Sequence, residues 1–241
     1  MQKKNPCGTF DRPQASYRER FYHKLISKNP GSVLDVGCGS GDLMRRLADD
    51  HIRAVGIETD QKMVDGLVKS GLSVQTGRAE DLPFEDNEFD LVVSEFSAHH
   101  FEDLGKTLSE GLRVARTGIA ILDQWYDVAI PSQAVARRFD KWCKKIDTDC
   151  GLIHNPNFTP SDFYGLLEGQ DQKFQIEILT DFIAVPLSFD KMQSDADEQL
   201  AKLSEPSEAK TEFETILDQA RKTGISDDGA IIIFVMKSLT D

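Results

Sequence analysis

A cluster of glycines between two carboxylates is the part of this sequence best suited to chemistry. The glycines are Gly37, Gly39 and Gly41, and they follow a short apolar run. Asp35 precedes them by two residues, and Glu58 ends the next apolar run. Without a Cβ, such a turn lets the backbone come close to a ligand, and a helix that starts after it presents free N–H groups. The pattern indicates a small-molecule site with acidic groups at its edge.

The spacing of these glycines favours a cationic ligand over a diphosphate. The dinucleotide fingerprint is GxGxxG, whereas this chain has GxGxG and carries Asp42 where the third glycine would stand. Asp35 and Asp42 would repel a pyrophosphate group. A ligand with an amino group and a sulfonium centre fits these carboxylates better.

Glu58 has the position of a ribose-binding residue. A carboxylate at the end of the second strand of such a fold accepts hydrogen bonds from both ribose hydroxyls. The alternative is a solvated strand end, with Thr59 or Asp60 capping the next helix.

Short apolar runs alternate with helical patterns through the first half of the chain. A first helix is predicted over about 14–28, because apolar residues recur there every four positions. Strands joined by helices form a parallel, doubly wound sheet with right-handed crossovers. The predicted strands are 32–36, 53–57, 72–76, 89–94 and 118–123, with helices at 42–50, 61–69 and 103–115.

The pattern changes after residue 123. Residues 124–172 have mixed helical character and several turn residues, which predicts an insertion. The remaining predicted elements are a strand at 174–179, helices near 190–203 and 207–222, and a final strand at 229–237.

Taken in order, these motifs resemble the class I S-adenosylmethionine-dependent methyltransferases that act on small molecules. The resemblance covers about residues 30–124 and depends on five segments: 33–43, 55–60, 77–84, 89–94 and 110–118. The third segment contains the pattern AExLPF. The predicted fold is therefore α/β, with a doubly wound, mostly parallel seven-stranded sheet, helices on both faces and a final antiparallel strand.

The resemblance also implies which residues bind the cofactor, S-adenosylmethionine. Asp35 would hold the methionyl amino group, and Glu58 the ribose hydroxyls, with Thr59 beside it. Many relatives carry Asp where this chain has Arg78, which leaves the adenine contact to Glu80 or Asp81. The other implied contacts are Gly37, Cys38, Gly39 and Gly41 on the methionine and ribose portions, Ala79 and Glu80 at the adenine edge, and Ser94 near the methyl group.

The resemblance further predicts how the chain is divided. We expect one domain, 1–241, in which residues 31–123 form the cofactor-binding half, with insertions on the acceptor side at 124–172 and 186–226. Residues 1–30 would form an N-terminal lid helix. Within it, Tyr17 is either a cofactor contact or a core residue of the helix face.

Titratable and aromatic residues follow the strands at the same edge of the sheet. His99 and His100 follow the fourth strand, and each is a candidate general base or a structural residue. Asp123 and the aromatic residues at 125–126 follow the fifth strand, where they would line an acceptor pocket or anchor the insertion. His154 is predicted as a surface or packing residue. We predict no metal site, because adjacent residues on a helix or turn point apart.

Composition restricts the partners. The net charge is −13, from 41 acidic and 28 basic side chains, which argues against nucleic acid as a substrate. The longest apolar run, 230–236, has the length of a strand and not of a membrane span, and the N-terminus has no signal-peptide pattern. We predict a cytoplasmic protein with a small-molecule acceptor and no membrane partner, and make no prediction of its oligomeric state.

Methyl transfer to a small-molecule acceptor by in-line displacement is the leading functional hypothesis. The alternatives are a tRNA- or protein-directed methyltransferase, a protein that binds S-adenosylmethionine without transferring its methyl group, and an NAD(P)-dependent oxidoreductase. The missing third glycine argues against the last of these.

Overall fold

Seven strands form one mixed sheet. The computed structural model of the protein describes residues 11–168, 173–183 and 185–238. The strands are β1 (Ser32–Val36), β2 (Arg53–Glu58), β3 (Val74–Thr76), β4 (Phe89–Glu95), β5 (Ala115–Trp125), β6 (Phe174–Asp181) and β7 (Gly229–Lys237). Their order is β3-β2-β1-β4-β5-β7-β6, with six parallel strands and β7 antiparallel. This confirms the predicted doubly wound, mostly parallel sheet.

Helices follow most of the strands. The third helix begins after Asp60, whose side chain accepts hydrogen bonds from the backbone N–H groups of Lys62 (2.8 Å) and Met63 (3.3 Å), as its capping role predicts. A short 3₁₀ helix spans Ala98–His100. The helices are α1 (Asp11–Ile26), α2 (Asp42–Asp49), α3 (Gln61–Lys69), α4 (Leu104–Val114), α5 (Pro131–Asp149), α6 (Pro160–Leu167), α7 (Phe189–Leu200) and α8 (Ser207–Thr223).

The first strand fixes where a ligand can bind. β1 is buried along its whole length, as expected for an apolar strand inside a parallel sheet. Asp35 of β1 lies opposite Gly56 of β2 on one side and Val93 of β4 on the other. The strand order reverses between β1 and β4, and ligands bind beyond the carboxyl ends of the strands at such a switch point.

As far as the chain is described, it divides into two compact units. The first, which we call the sheet unit, comprises residues 20–123, 158–179 and those from 231 onward. The second, the helical unit, comprises the residues up to 19 together with 124–157 and 180–230. In the helical unit, α5, α7 and α8 enclose an apolar core in which the rings of Trp142 and Phe213 are 5.4 Å apart. The predicted assignment of chain segments to cofactor and acceptor stays a prediction.

Several boundaries differ from the sequence-based prediction. β5 is longer than predicted because its pairing with β4 starts at Phe89 and Ala115 and continues, after an irregularity in register, from Leu91 and Gly118. Residues 124–172 contain a 19-residue helix, α5, where only mixed helical character was expected. The part of the predicted lid before residue 11 lies outside the described residues.

No helix in the described part of the chain is both long and apolar enough to cross a membrane. The cytoplasmic location stays a prediction.

Candidate active site

The glycine turn after β1 has a conformation that only small residues adopt easily. Gly37 has φ +74° and Gly41 has φ +75°, both in the left-handed region. A Cβ on Gly37 would lie 2.7 Å from both the Cβ and the Oγ of Ser97, so no side chain fits there. The N–H of Gly37 donates to the carbonyl of Ile57 at 2.8 Å, which fastens the turn to the end of β2.

Glu58 lies against this turn, as the sequence predicted. One carboxylate oxygen, Oε2, accepts a hydrogen bond from the Gly39 N–H at 3.1 Å. The other, Oε1, accepts from the N–H groups of Thr59 (2.7 Å) and Asp60 (3.2 Å). Three backbone donors therefore hold the carboxylate beside the glycine turn, where a hydroxyl-bearing ligand could compete for it.

The electrostatics of the turn are strongly acidic. Asp35 is 2% exposed, and burial raises its pKa well above the usual value, with Glu95 and Glu58 adding to the rise. Burial and the charges of Asp35 and Glu58 raise the pKa of the Cys38 thiol to about 12. A bound cation would reverse these shifts, because an opposite charge favours the ionised carboxylate.

Asp42 adds less to this charge than its position in the sequence suggested. Its Oδ1 is 3.1 Å from Nη1 of Arg45, and its Oδ2 accepts from the Ser40 hydroxyl at 2.7 Å. The ion pair is exposed, and it offsets part of the charge at the start of α2. The acidic character of the site therefore depends on Asp35, Glu58 and Glu95.

The predicted adenine-edge residues are buried, and one of them, Glu80, forms hydrogen bonds with the nearby backbone. Ala79 is 5% and Glu80 is 7% exposed. Oε1 of Glu80 accepts from the backbone N–H groups of Glu102 (2.6 Å) and Asp103 (3.2 Å), at the start of α4. Arg78 pairs with both Glu80 and Glu102. Arg78, the residue that departs from the family pattern, is thus part of an ion-pair network.

Ser94 lies near the carboxyl end of β4, and its hydroxyl group contacts that of a second serine. It is 4% exposed, and its Oγ is 2.7 Å from the Oγ of Ser97. The Ser97 hydroxyl donates in turn to the carbonyl of Val36 at 2.9 Å. These contacts link Ser94 to Val36, the residue just before the glycine turn. A cofactor contact by Ser94 stays a prediction.

The structure joins His99 to Asp123. His99 is 4% exposed, its Nδ1 is 2.6 Å from Oδ1 of Asp123, and its backbone N–H donates to Oδ2 at 3.0 Å. An ionised carboxylate only accepts hydrogen bonds, so beside an ionised Asp123 the Nδ1 of His99 carries a proton. His100 is exposed, and its ring centroid is 4.2 Å from that of His99, so the assumption that these adjacent residues point apart was wrong. Sequence reasoning proposed both histidines but missed this partner.

Two predicted residues have structural surroundings within the helical unit. Tyr17 is fully buried, and its hydroxyl accepts from the Ile183 N–H (2.9 Å) and donates to the Asp228 carbonyl (3.3 Å). These contacts favour its interpretation as a core residue. His154 is 6% exposed, with its Nδ1 2.7 Å from Oδ2 of Asp147, a partner that the sequence did not reveal.

The residues around the glycine turn fit S-adenosylmethionine. A cradle that excludes a Cβ at Gly37 leaves room for a close ligand, and the carboxylates of Asp35 and Glu58 suit an ammonium group and ribose hydroxyls. The negative charge suits a sulfonium and disfavours a diphosphate. The fold and site therefore define a Rossmann-like α/β protein with an acidic site that suits a cationic nucleoside.

Comparison with known proteins gives the same class. A family model described as "Methyltransferase domain" matches residues 34–122. The chain is 36% identical to ajmaline N-methyltransferase of Rauvolfia serpentina over 104 residues, which is 39% of this chain and 36% of the relative. It is 33% identical to the O-methyltransferase rstn1 of Aspergillus nomiae over 156 residues, 58% of this chain and 69% of the relative. The chain spans only 36–45% of the length of several other curated relatives.

Solved structures share the fold. The YcgJ protein of Bacillus subtilis aligns with a TM-score of 0.62 over 92% of this chain and 100% of that chain, at 20% identity. At this identity the likeness concerns the fold alone. The match to rstn1, with the methyltransferase family model, shows that the chain belongs to the class I S-adenosylmethionine-dependent methyltransferases.

Proposed function

We propose that this protein transfers a methyl group from S-adenosylmethionine to a small-molecule acceptor. The observation that carries the proposal is the convergence of Asp35, Glu58 and the glycine turn at the switch point between β1 and β4. Relatives named as N- and O-methyltransferases support the reaction class. The acidic net charge of −13 supports a small acceptor over RNA.

The residues that would hold the cofactor have separate tasks. Asp35 would bind the ammonium group, and Glu58 would accept hydrogen bonds from the ribose hydroxyls, with Thr59 beside it. Ala79 and Glu80 would line the adenine edge, and Ser94 the region of the methyl group. The backbone of Gly37, Cys38, Gly39 and Gly41 would lie against the methionine and ribose portions.

When bound, S-adenosylmethionine supplies an activated methyl group, so orientation of the acceptor accounts for much of the catalysis. An acceptor that must lose a proton also needs a base. His99 suits this task because its Nδ1 is 2.6 Å from Oδ1 of Asp123. An ionised Asp123 would orient the ring and keep a proton on Nδ1, so that Nε2 can accept a proton from the acceptor. The proton of an acceptor hydroxyl or amine would pass to Nε2. His100 is the second candidate for this base.

Isothermal titration calorimetry with S-adenosylmethionine, its demethylated product and NADH tests the cofactor site. We expect affinity for the first two and none for NADH. Glu58→Gln should weaken binding by about 10- to 100-fold, since hydrogen bonds to a charged acceptor contribute about 1.5–3 kcal/mol. Glu85→Gln is the matched control, because Glu85 is an exposed glutamate in the same unit.

A radiolabelled methyl-transfer assay over a panel of alcohols, phenols and amines then tests the reaction. Transfer to a small molecule supports the proposal. Transfer only to RNA, with an affinity that falls steeply as salt rises, would instead favour a nucleic-acid acceptor. Tight cofactor binding without transfer to any member of the panel, RNA or protein would point to a non-catalytic binding protein.

A further inference from the structure

The helical unit contains a cleft with buried carboxylates that its own side chains do not fully satisfy. Including the solvent at its mouth, the cleft encloses about 390 Å³. All the residues that line it belong to the helical unit. Its acidic lining residues are Asp140, Asp195, Asp227 and Asp228.

Two of these carboxylates have cationic partners. Oδ2 of Asp140 is 3.1 Å from Nζ of Lys144, one helical turn further along α5. Asp195 pairs in the same way with Lys191 on α7. Ion pairs of this kind balance the charge on their side of the cleft.

Asp227 and Asp228 are different. They are 1% and 5% exposed, and no Lys or Arg among the described residues lies within ion-pairing distance of either. One oxygen of Asp227 accepts from the Asp228 N–H at 2.9 Å. Its second oxygen has no donor in hydrogen-bonding geometry within the described structure, and the same holds for both oxygens of Asp228. The side chain of Gln124 approaches Asp228 closely enough to lower its pKa by hydrogen bonding, but not in the geometry of a full hydrogen bond. Buried acceptors without donors are costly and rare in folded proteins.

The strand-like segment that carries this pair is held firmly. The Asp227 N–H donates to the carbonyl of Val185 at 2.9 Å. The side-chain amide of Gln133, which is fully buried, donates to Oγ of Ser226 at 3.0 Å and also to the carbonyl of Asp227. These hydrogen bonds hold the backbone that carries the unsatisfied oxygens in place.

Protonation alone does not satisfy the pair. Burial and the neighbouring Asp228 raise the pKa of Asp227, and burial together with Asp140 raises the pKa of Asp228. A proton shared between the two carboxyls supplies a donor to one oxygen, whereas three lack one. Several donors at one point, such as those of an ammonium group, would satisfy the rest.

The apolar part of the cleft lining selects among cations. The apolar and aromatic residues of the lining are Tyr126, Ala136, Phe139, Leu187 and Ile225. A hydrated Mg²⁺ or Ca²⁺ prefers a shell of oxygen atoms on all sides. An organic cation matches both kinds of lining, because its apolar body can contact the rings while its charged end meets the carboxylates.

We propose that this cleft binds a primary or secondary organic amine in its ammonium form, with the N–H groups directed at Asp227 and Asp228. The oxygens lack donors, so an amine that carries N–H groups should bind better than a quaternary ammonium. The proposal does not depend on methyl transfer, because none of the residues that carry it is among those proposed to hold S-adenosylmethionine.

Benzylamine, benzyl alcohol and benzyltrimethylammonium are suitable probes, because they share an apolar ring and differ at the polar end. Binding is measured by calorimetry and ligand-observed NMR on the full chain without S-adenosylmethionine. We expect about millimolar affinity for benzylamine, as is usual for a ligand of this size. Benzyl alcohol and the quaternary ion should bind at least tenfold more weakly.

Asp228→Asn and Asp227→Asn keep the size of the side chains and remove charge. Each should weaken benzylamine binding at least tenfold without lowering the unfolding temperature, since each relieves a buried carboxylate. Glu212→Gln is the matched control, an exposed acidic residue of the same unit. Equal binding of benzylamine and benzyl alcohol to the unaltered protein would overturn the proposal without any variant. So would a response to Mg²⁺ or Ca²⁺ alone, or unchanged benzylamine binding in both Asn variants.

Discussion

Replacing Gly37 by alanine tests whether the glycine turn is shaped for close approach. The added Cβ would lie 2.7 Å from the Cβ and Oγ of Ser97, closer than side chains come in folded proteins. The left-handed φ of +74° adds a cost of about 1–2 kcal/mol for a residue with a Cβ. Overpacking of a buried site costs about 1–3 kcal/mol more. We expect Gly37→Ala to lower the free energy of unfolding by about 2–5 kcal/mol.

The structure also indicates which group must move. Ser97 is held by its hydrogen bond to the Val36 carbonyl (2.9 Å) and by its contact with Ser94 (2.7 Å), both buried. The backbone of the turn is therefore expected to shift, and with it the Gly39 N–H that donates to Glu58. Affinity for S-adenosylmethionine should fall at least tenfold, beyond any effect of partial unfolding.

The assay combines urea unfolding with calorimetric titration of the cofactor. Gly66→Ala is the control, because a Cβ there has no heavy atom within 4 Å and lies inside α3, where alanine is expected to stabilise by about 0.5–1 kcal/mol. The double variant Gly37→Ala/Ser97→Gly removes the clash but not the left-handed strain. Because Ser97→Gly also removes the hydrogen bond to Val36, comparison of the double variant with Ser97→Gly alone gives the cost of the strain. If Gly37→Ala matched the unaltered protein in both measurements, the reasoning about the turn would be refuted.

Two further predictions concern histidine–aspartate pairs. For an acceptor that must be deprotonated, His99→Ala should reduce kcat by about 10²–10⁴-fold with little change in cofactor affinity. Asp123→Asn should have a similar but smaller effect. If a transfer assay found kcat of the His99→Ala variant within threefold of the original, His99 would be excluded as the base. In the helical unit, burial opposes ionisation of Asp147, but hydrogen bonds from His154 and Lys202 outweigh it and lower its pKa. Its stabilising contribution is therefore present above the unfolded-state pKa of about 3.9 and is lost as pH falls through the lower folded-state value. Asp147→Asn should cost about 3–5 kcal/mol near pH 7, and urea titrations should show this difference narrowing below about pH 4; a difference that did not change with pH would contradict the assignment.

The cofactor half could be predicted because its signals are local. Asp35, the glycines and Glu58 stand at strand ends, and strand ends can be located from short apolar runs. Parallel pairing then brings them together without further information, as the register of Val36 opposite Ile57 shows. The capping role of Asp60 is equally local, because its partners lie two and three residues further along.

The partners of the histidines could not be predicted in this way. Asp123 lies 24 positions from His99, and their contact depends on the register of β4 with β5, which places Glu95 opposite Leu122. The insertion is harder still, because the apolar face of α5 is defined only by its packing against α7 and α8. The helical pattern of α5 predicts a helix, but it does not predict which helices pack against it or the cleft that they form together.

The two acidic sites differ in how their charge is balanced, and this difference explains why only one of them has a recognisable motif. At the glycine turn, three backbone N–H groups hold Glu58 in place, so the site needs particular residues at a fixed spacing. At Asp227 and Asp228 a single backbone N–H serves the pair. In sequence, the Ser226–Gly229 stretch resembles an ordinary exposed turn before a strand. Only burial distinguishes it, since two carboxylates that are 1% and 5% exposed must acquire donors or protons, whereas the same residues in solvent would need neither.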